Sequence, residues 1–185
     1  MKTVMIPKFF HELFGEKQNI IELLLIIAFT IVSAITVGMI TLKEWQQYAW
    51  YQLIVLVLLY LDIAGGVIAN LTFSTNRHYQ DRPKARLVFI AIHVQPLIIG
   101  FVLQTGLWIC VVVWAYTIVS ALIVNALNEL SIQRSVGGLL MTIGLMGLFL
   151  LGQGTQLLIL IILLLFIIKV IFSFAVNHFS QRGVL

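Results

Sequence analysis

Long apolar segments, separated by short polar ones, make up most of this chain. Six of them approach or reach the ~20 residues that an α-helix needs to cross the ~30 Å hydrocarbon core of a bilayer. They cover residues 20–42, 48–74, 87–103, 107–127, 136–151 and 157–176. The polar segments between them are too short to form a separate domain. The pattern therefore predicts an all-α fold, a bundle of six transmembrane helices with short loops.

The composition excludes the other common protein classes. Of the 185 residues, 61% are hydrophobic and 10% are charged, and the mean hydropathy is +1.08. A soluble domain has about 25% charged residues and could not cover so much apolar surface with polar groups. A soluble domain, a disordered chain and a coiled coil are excluded. The single cysteine, Cys110, excludes an internal disulfide.

The basic residues predict the orientation of the bundle. With six spans, the first, third and fifth loops face one side of the membrane, and of the 11 Lys and Arg residues only Lys43 lies there. The positive-inside rule then places both termini in the cytoplasm. We expect a multi-pass protein of the cell membrane. The formal charge of +4 is interpreted as an orientation signal rather than as a sign of nucleic-acid binding.

Three regions follow from the spans: a cytoplasmic N-terminal segment (1–19), the transmembrane domain (20–177) and a cytoplasmic tail (178–185). Within the first, Phe10, Leu13 and Phe14 have the i, i+3, i+4 spacing of a helix that lies on a membrane surface. The alternative is a frayed tail with chance spacing. The loop 77–86 is rich in Lys and Arg, which either contact anionic lipid headgroups or only set the orientation.

Two spans carry polar residues at helical spacing. Ionisable groups inside a span cost ~2.5–3.5 kcal/mol each on insertion scales, so each needs a reason. In the second span Asp62 is followed by Gly66 and Asn70 at i+4 and i+8. In the sixth span Lys169 begins a similar series, which continues with Ser173 and Asn177. These side chains either bind a ligand or act as hydrogen-bonded packing between helices.

Counted from the cytoplasmic helix ends at ~1.5 Å per residue, Asp62 lies roughly 18–20 Å deep and Lys169 roughly 12–14 Å deep. A lysine side chain is long enough to cover much of the remaining difference, which predicts an ion pair across a polar cavity. The alternative is that Lys169 extends to the cytoplasmic surface.

The third span holds His93 close to Pro96. A proline cannot donate to the carbonyl of Ile92, so a kink is expected beside the histidine. His93 is interpreted as a proton shuttle, a metal ligand or a hydrogen-bonded packing residue. In the fourth span Asn125 and Glu129 share a face at the cytoplasmic end.

The polar residues of four spans together define a candidate ligand-binding set. It consists of Asp62, Gly66, Asn70, His93, Asn125, Lys169, Ser173 and Asn177. Asp62 and His93 are the candidates for an acid or base in catalysis. The chain has no HExxH, GxSxG, phosphate loop or acidic metal pair, so neither a metal nor a cofactor is predicted.

These residues predict a polar pocket, open to the cytoplasm and built by the second, third, fourth and sixth helices, that binds or transports a small molecule or lipid. The alternatives are a membrane-embedded enzyme acting on a lipid or isoprenoid and a structural or regulatory subunit of a membrane complex. The expected partners are the bilayer, a small-molecule or lipid ligand, and a second copy of the chain packed on the glycine-rich fifth helix. No nucleic acid is expected.

Overall fold

A computed structural model, which describes residues 2–128 and 130–179, confirms the predicted all-α helical bundle. Among the described residues, six helices are long and apolar enough to cross a membrane, and they are called spans one to six below. Their bounds are Ile20–Ile40, Trp50–Ala69, Pro83–Leu103, Leu107–Ala126, Gln133–Leu151 and Leu157–Phe174. Glu129 and residues 180–185, including Arg182 and most of the predicted tail, lie outside the described residues.

The spans are divided further by changes in the helical hydrogen bonding. Span three consists of the helices Pro83–Ala91 and Gln95–Leu103, and span six of the α-helix Leu157–Ile167 followed by the π-helix Ile168–Phe174. Short helices Leu42–Trp45 and Phe73–Gln80 follow spans one and two. The kink predicted beside Pro96 is confirmed as a break in span three.

The polar stretch 76–86, predicted to be a loop, is mostly helical. The helix Phe73–Gln80 continues into it, and span three begins at Pro83 rather than at residue 87. The prediction was wrong because proline was taken as a loop residue, whereas at the first turn of a helix its missing N–H is no loss. The two helices are joined by Asp81 and Arg82 alone.

The N-terminal segment folds into a small unit of its own. Strand Thr3–Met5 pairs antiparallel with strand Lys17–Asn19, and a 3-10 helix Lys8–Phe10 and a single α-helical turn His11–Phe14 lie between them. The sequence indicated the helical turn but not the strand pair. Gly15 ends the turn with a positive φ of 70°, a conformation that strongly favours glycine. That the N-terminal segment lies on a membrane surface stays a prediction.

Span six is the centre of the bundle. Of the 18 residues of span six, 67% are buried, whereas only 11% of an 18-residue stretch of span one is buried. Span one packs mainly against span two. The first N–H groups and the last C=O groups of a helix have no hydrogen-bond partner within the helix itself. The Glu44 carboxylate accepts from the N–H groups of Leu157 and Leu158 at 3.0 and 2.8 Å.

The other end of span six is held by side chains from three elements. Arg86 donates to the carbonyls of Phe174 and Ala175 at 3.2 and 2.7 Å. Gln133 also donates to the Ala175 carbonyl, at 3.2 Å, and Asn76 donates to that of Val176 at 3.2 Å. Arg86, counted as an orientation signal in the sequence, is thus 4% exposed and caps a buried helix end.

We expect Gly144→Ala to destabilise the protein by roughly 1–3 kcal/mol, the usual cost of overpacking. A Cβ at Gly144 would lie 2.6 Å from Cε1 of Tyr116. This ring cannot easily move because its hydroxyl donates to the Leu140 carbonyl at 2.6 Å. The matched control is Gly147→Ala on the same helix, where a Cβ meets nothing within 4 Å. Chemical unfolding in detergent compares the two, and equal stabilities would contradict the packing described for span five.

We also expect Arg86→Met to lower the free energy of unfolding by about 2–3 kcal/mol, because two backbone carbonyls lose a charged donor. Lys84→Met, at an exposed position in the same helix, should change it by less than ~0.5 kcal/mol. Thermal and chemical unfolding measure the difference. Equal effects of the two substitutions would mean that Arg86 acts only as an orientation signal.

Candidate functional site

The polar residues predicted in spans two and six meet inside the bundle. Nζ of Lys169 lies 2.8 Å from Oδ2 of Asp62, so the ion pair that the sequence suggested is present. The Lys169 side chain is 2% exposed and that of Asp62 is 34% exposed. The cation is therefore enclosed by protein, while the carboxylate is reachable from outside the packed core.

Gly66 creates the space in which Lys169 lies. A Cβ at this position would come within 2.3 Å of Cε and 2.9 Å of Cδ of Lys169. The lysine side chain therefore passes directly over the backbone of span two, one helical turn after Asp62. The spacing of Asp62 and Gly66 thus provides both the partner of the lysine and the gap that admits it.

The break in span three adds a third polar group to the pair. Gln95, the first residue after the break, donates from Nε2 to the same Oδ2 of Asp62 at 2.9 Å. Its own Oε1 is buried without a hydrogen-bond partner among the described residues. Asp62 thus receives two hydrogen bonds on one oxygen, and both donors come from other spans.

His93 lies within the break and faces the same region. Its Nδ1 bonds to the carbonyl of Phe89, which requires the proton on Nδ1 and leaves Nε2 as an acceptor when the ring is neutral. That Nε2 is buried and has no partner among the described residues. The ring is 2% exposed and lies within electrostatic range of both Asp62 and Lys169.

A cavity of about 80 Å³ adjoins the ion pair. Four predicted ligand-binding residues line it: Asp62, Gly66, Asn70 and Lys169. Phe89 of span three and Leu13 and Phe14 of the N-terminal segment complete one part of the lining. Half of the eight predicted ligand-binding residues therefore line the cavity, and the N-terminal segment, which was not predicted to be part of the site, contributes to it as well.

The N-terminal segment is attached to the helix Phe73–Gln80 by hydrogen bonds. Thr75 Oγ1 donates to the Leu13 carbonyl at 3.2 Å, and the Tyr79 hydroxyl donates to the Glu12 carbonyl at 3.1 Å. Burial, with a smaller effect of Glu12, raises the pKa of Tyr79, so the phenol stays protonated and able to donate. These bonds hold Leu13 against the cavity.

The remaining predicted ligand-binding residues lie elsewhere. Ser173 is buried on the π-helix without lining the cavity, and Asn177 belongs to the capped end of span six, where its N–H donates to Oε1 of Gln133 at 3.0 Å. Asn125 is half-buried in span four and lines none of this cavity. Span four thus contributes no lining residue to it.

The sequence analysis did not include Gln95, Phe89, Leu13 or Phe14 in the predicted site. A glutamine next to a proline break gives a weak signal, because nothing in the chain indicates that it faces Asp62. The apolar residues carry no chemical signal at all. Only the packing of distant segments brings them to the cavity.

Among residues 2–128 and 130–179, no three His, Cys, Asp or Glu side chains are grouped as metal ligands. No family model matches the chain, and no curated protein and no solved structure matches it either.

We expect Asp62→Asn to lower the free energy of unfolding by about 3 kcal/mol, because it leaves Lys169 charged and enclosed without a counter-ion. The double variant Asp62→Asn, Lys169→Met should recover most of that loss. Glu22→Gln, which removes a carboxylate from span one, serves as the control and should have little effect. Unfolding in detergent measures all three, and a silent Asp62→Asn would rule out a structural role for the ion pair.

Proposed function

We propose that the protein is a transporter in which Asp62 takes up and releases a proton as a small solute crosses the membrane. The observation that carries this proposal is the Asp62–Lys169 pair, with one partner enclosed and the other partly accessible. We also propose that it acts in the cell membrane with both termini in the cytoplasm, as its basic residues predict.

The charges of the pair favour a proton as the coupled ion. Paired, Asp62 and Lys169 carry no net charge, so the site is stable in a low-dielectric interior. Protonation of Asp62 removes the partner of Lys169 and leaves a buried positive charge, which strongly favours a rearrangement around it. Proton uptake is thereby linked to a change in the packing of spans two and six, and such a linkage is what coupling requires.

Two buried side chains near Asp62 offer hydrogen-bond acceptors, and one of them, the imidazole of His93, can also bind a proton. Nε2 of His93 and Oε1 of Gln95 are both buried without a partner among the described residues, and an unsatisfied polar group costs about 1–3 kcal/mol. Each buried unsatisfied group in a native structure has a physical cause, such as a catalytic role or a bound water. We assign His93 the role of proton shuttle between Asp62 and the interior of the bundle.

The size of the cavity limits what it can hold in this conformation. About 80 Å³ accommodates roughly two or three water molecules at ~30 Å³ each, which suits proton transfer but not a lipid. A larger solute would need Leu13 and Phe14 to move away from the cavity. A lipid or isoprenoid would require a much larger opening than a small solute, which disfavours an enzyme acting on such substrates.

We expect the full chain, reconstituted in liposomes that contain a pH-sensitive dye, to change the internal pH when gradients of small solutes are imposed. Amino acids, sugars and small organic cations form the panel. Asp62→Asn should abolish the pH change, because an amide cannot carry the proton. Glu22→Gln is the matched carboxylate control and should retain it.

Infrared spectroscopy across a pH titration tests Asp62 without knowledge of the solute. A protonated-carboxyl band that Asp62→Asn removes and Glu22→Gln retains would support the proposal. If Asp62→Asn leaves this band unchanged, proton binding at Asp62 is wrong. Conversion of an added lipid by the reconstituted protein would favour an enzyme instead.

A further inference from the structure

A second and larger cavity lies between the N-terminal segment and the helix Phe73–Gln80. Its volume is about 510 Å³. Charged and polar side chains make up most of its lining, which consists of Glu16, Lys17, Phe73, Ser74, Arg77, His78, Asp81 and Arg82. None of these residues lines the cavity beside Asp62, so the two cavities are separate.

Arg82 is already engaged within the cavity. Its guanidinium lies 3.6 Å from Oε1 of Glu16 and 2.9 Å from Nε2 of His78. Partial burial and the neighbouring Arg82 charge lower the pKa of His78, so the imidazole is neutral near pH 7 and adds no charge. The charges of Arg82 and Glu16 largely cancel.

Lys17 and Arg77 are the cations that remain. Among the described residues, neither lies within ion-pair distance of a carboxylate. Arg77 instead packs with its guanidinium 5.8 Å from the centre of the Phe73 ring. The one other acid in the lining is Asp81, so the charged side chains of the cavity leave a single net positive charge, and the two cations without a carboxylate partner come from its two walls.

We propose that this cavity binds a phosphate group, held by Lys17 and Arg77. A phosphate accepts hydrogen bonds from both an ammonium and a guanidinium, and arginine matches its geometry especially well. The Ser74 hydroxyl in the same wall is a further donor. Both an anionic lipid headgroup and a free phosphate ester have this chemistry.

The position of the cavity favours the headgroup of a membrane lipid as the phosphate group that binds there. It adjoins the end of span two, and Phe73 in its wall is 48% exposed and apolar. Anionic headgroups attract clustered Lys and Arg residues next to membrane spans. The site is independent of the proposed transport function, since no residue is shared between the two cavities.

The test measures thermal unfolding of the purified full chain in a non-ionic detergent with added ligand. The probes are short-chain phosphatidylglycerol, the corresponding diacylglycerol and inorganic phosphate, all at constant ionic strength. We expect stabilisation by phosphatidylglycerol and none by diacylglycerol. Stabilisation by inorganic phosphate as well would identify a site for free phosphate, and its absence a site for the lipid headgroup.

The variants Lys17→Gln and Arg77→Gln should each weaken the apparent affinity by about tenfold, as expected when one charged hydrogen bond is lost. Lys84→Gln removes an exposed cation from the same end of the bundle and should leave the affinity unchanged. Each variant is first shown to unfold at the wild-type temperature without ligand. The proposal is overturned if no phosphate-bearing probe stabilises the protein or if Lys84→Gln weakens binding as much as Arg77→Gln.

Discussion

The enclosure of span six is the constraint on which the other features of this bundle depend. Most residues of span six are surrounded by protein, and its C-terminal end is buried, where each unsatisfied C=O group would cost several kcal/mol. Glu44 supplies acceptors at one end, and Arg86, Gln133 and Asn76 supply donors at the other. The signs of Glu44 and Arg86 also match the dipole of the helix, positive at its N-terminus and negative at its C-terminus.

The ion pair lies on the part of span six that departs from α-helical geometry. Lys169 is the second residue of the π-helix Ile168–Phe174, and π-helical turns are frequent at functional sites. Its partner Asp62 is in span two, and Gln95 reaches the pair from the break in span three. Regular hydrogen bonding is thus interrupted in two helices where they contribute to one polar cluster.

The sequence predicts the parts of this structure that depend on local pattern. Lengths of apolar segments predict the six spans, and the i, i+4 spacing identifies Asp62 with Gly66. Pairings between distant residues are different, because no periodicity links Thr3 to Asn19 or Arg86 to Ala175. Gln95 was missed for the same reason, since its partner is 33 residues away. The chemistry of a polar side chain indicates that it needs a partner inside the bundle. Which residue becomes that partner depends on how distant segments of the chain pack together.

The basic residues of one end perform different physical tasks although a sequence count treats them alike. Arg86 and Lys169 are enclosed, and each has a specific partner inside the bundle. Neither residue should therefore be counted when the positive-inside rule is applied to this chain. The described cations that remain, including Lys17, Arg77 and Lys84, are exposed, and by connectivity all but Lys43 still fall at the same end. The predicted orientation thus does not depend on the two buried cations, whose positions are explained by helix capping and ion pairing instead.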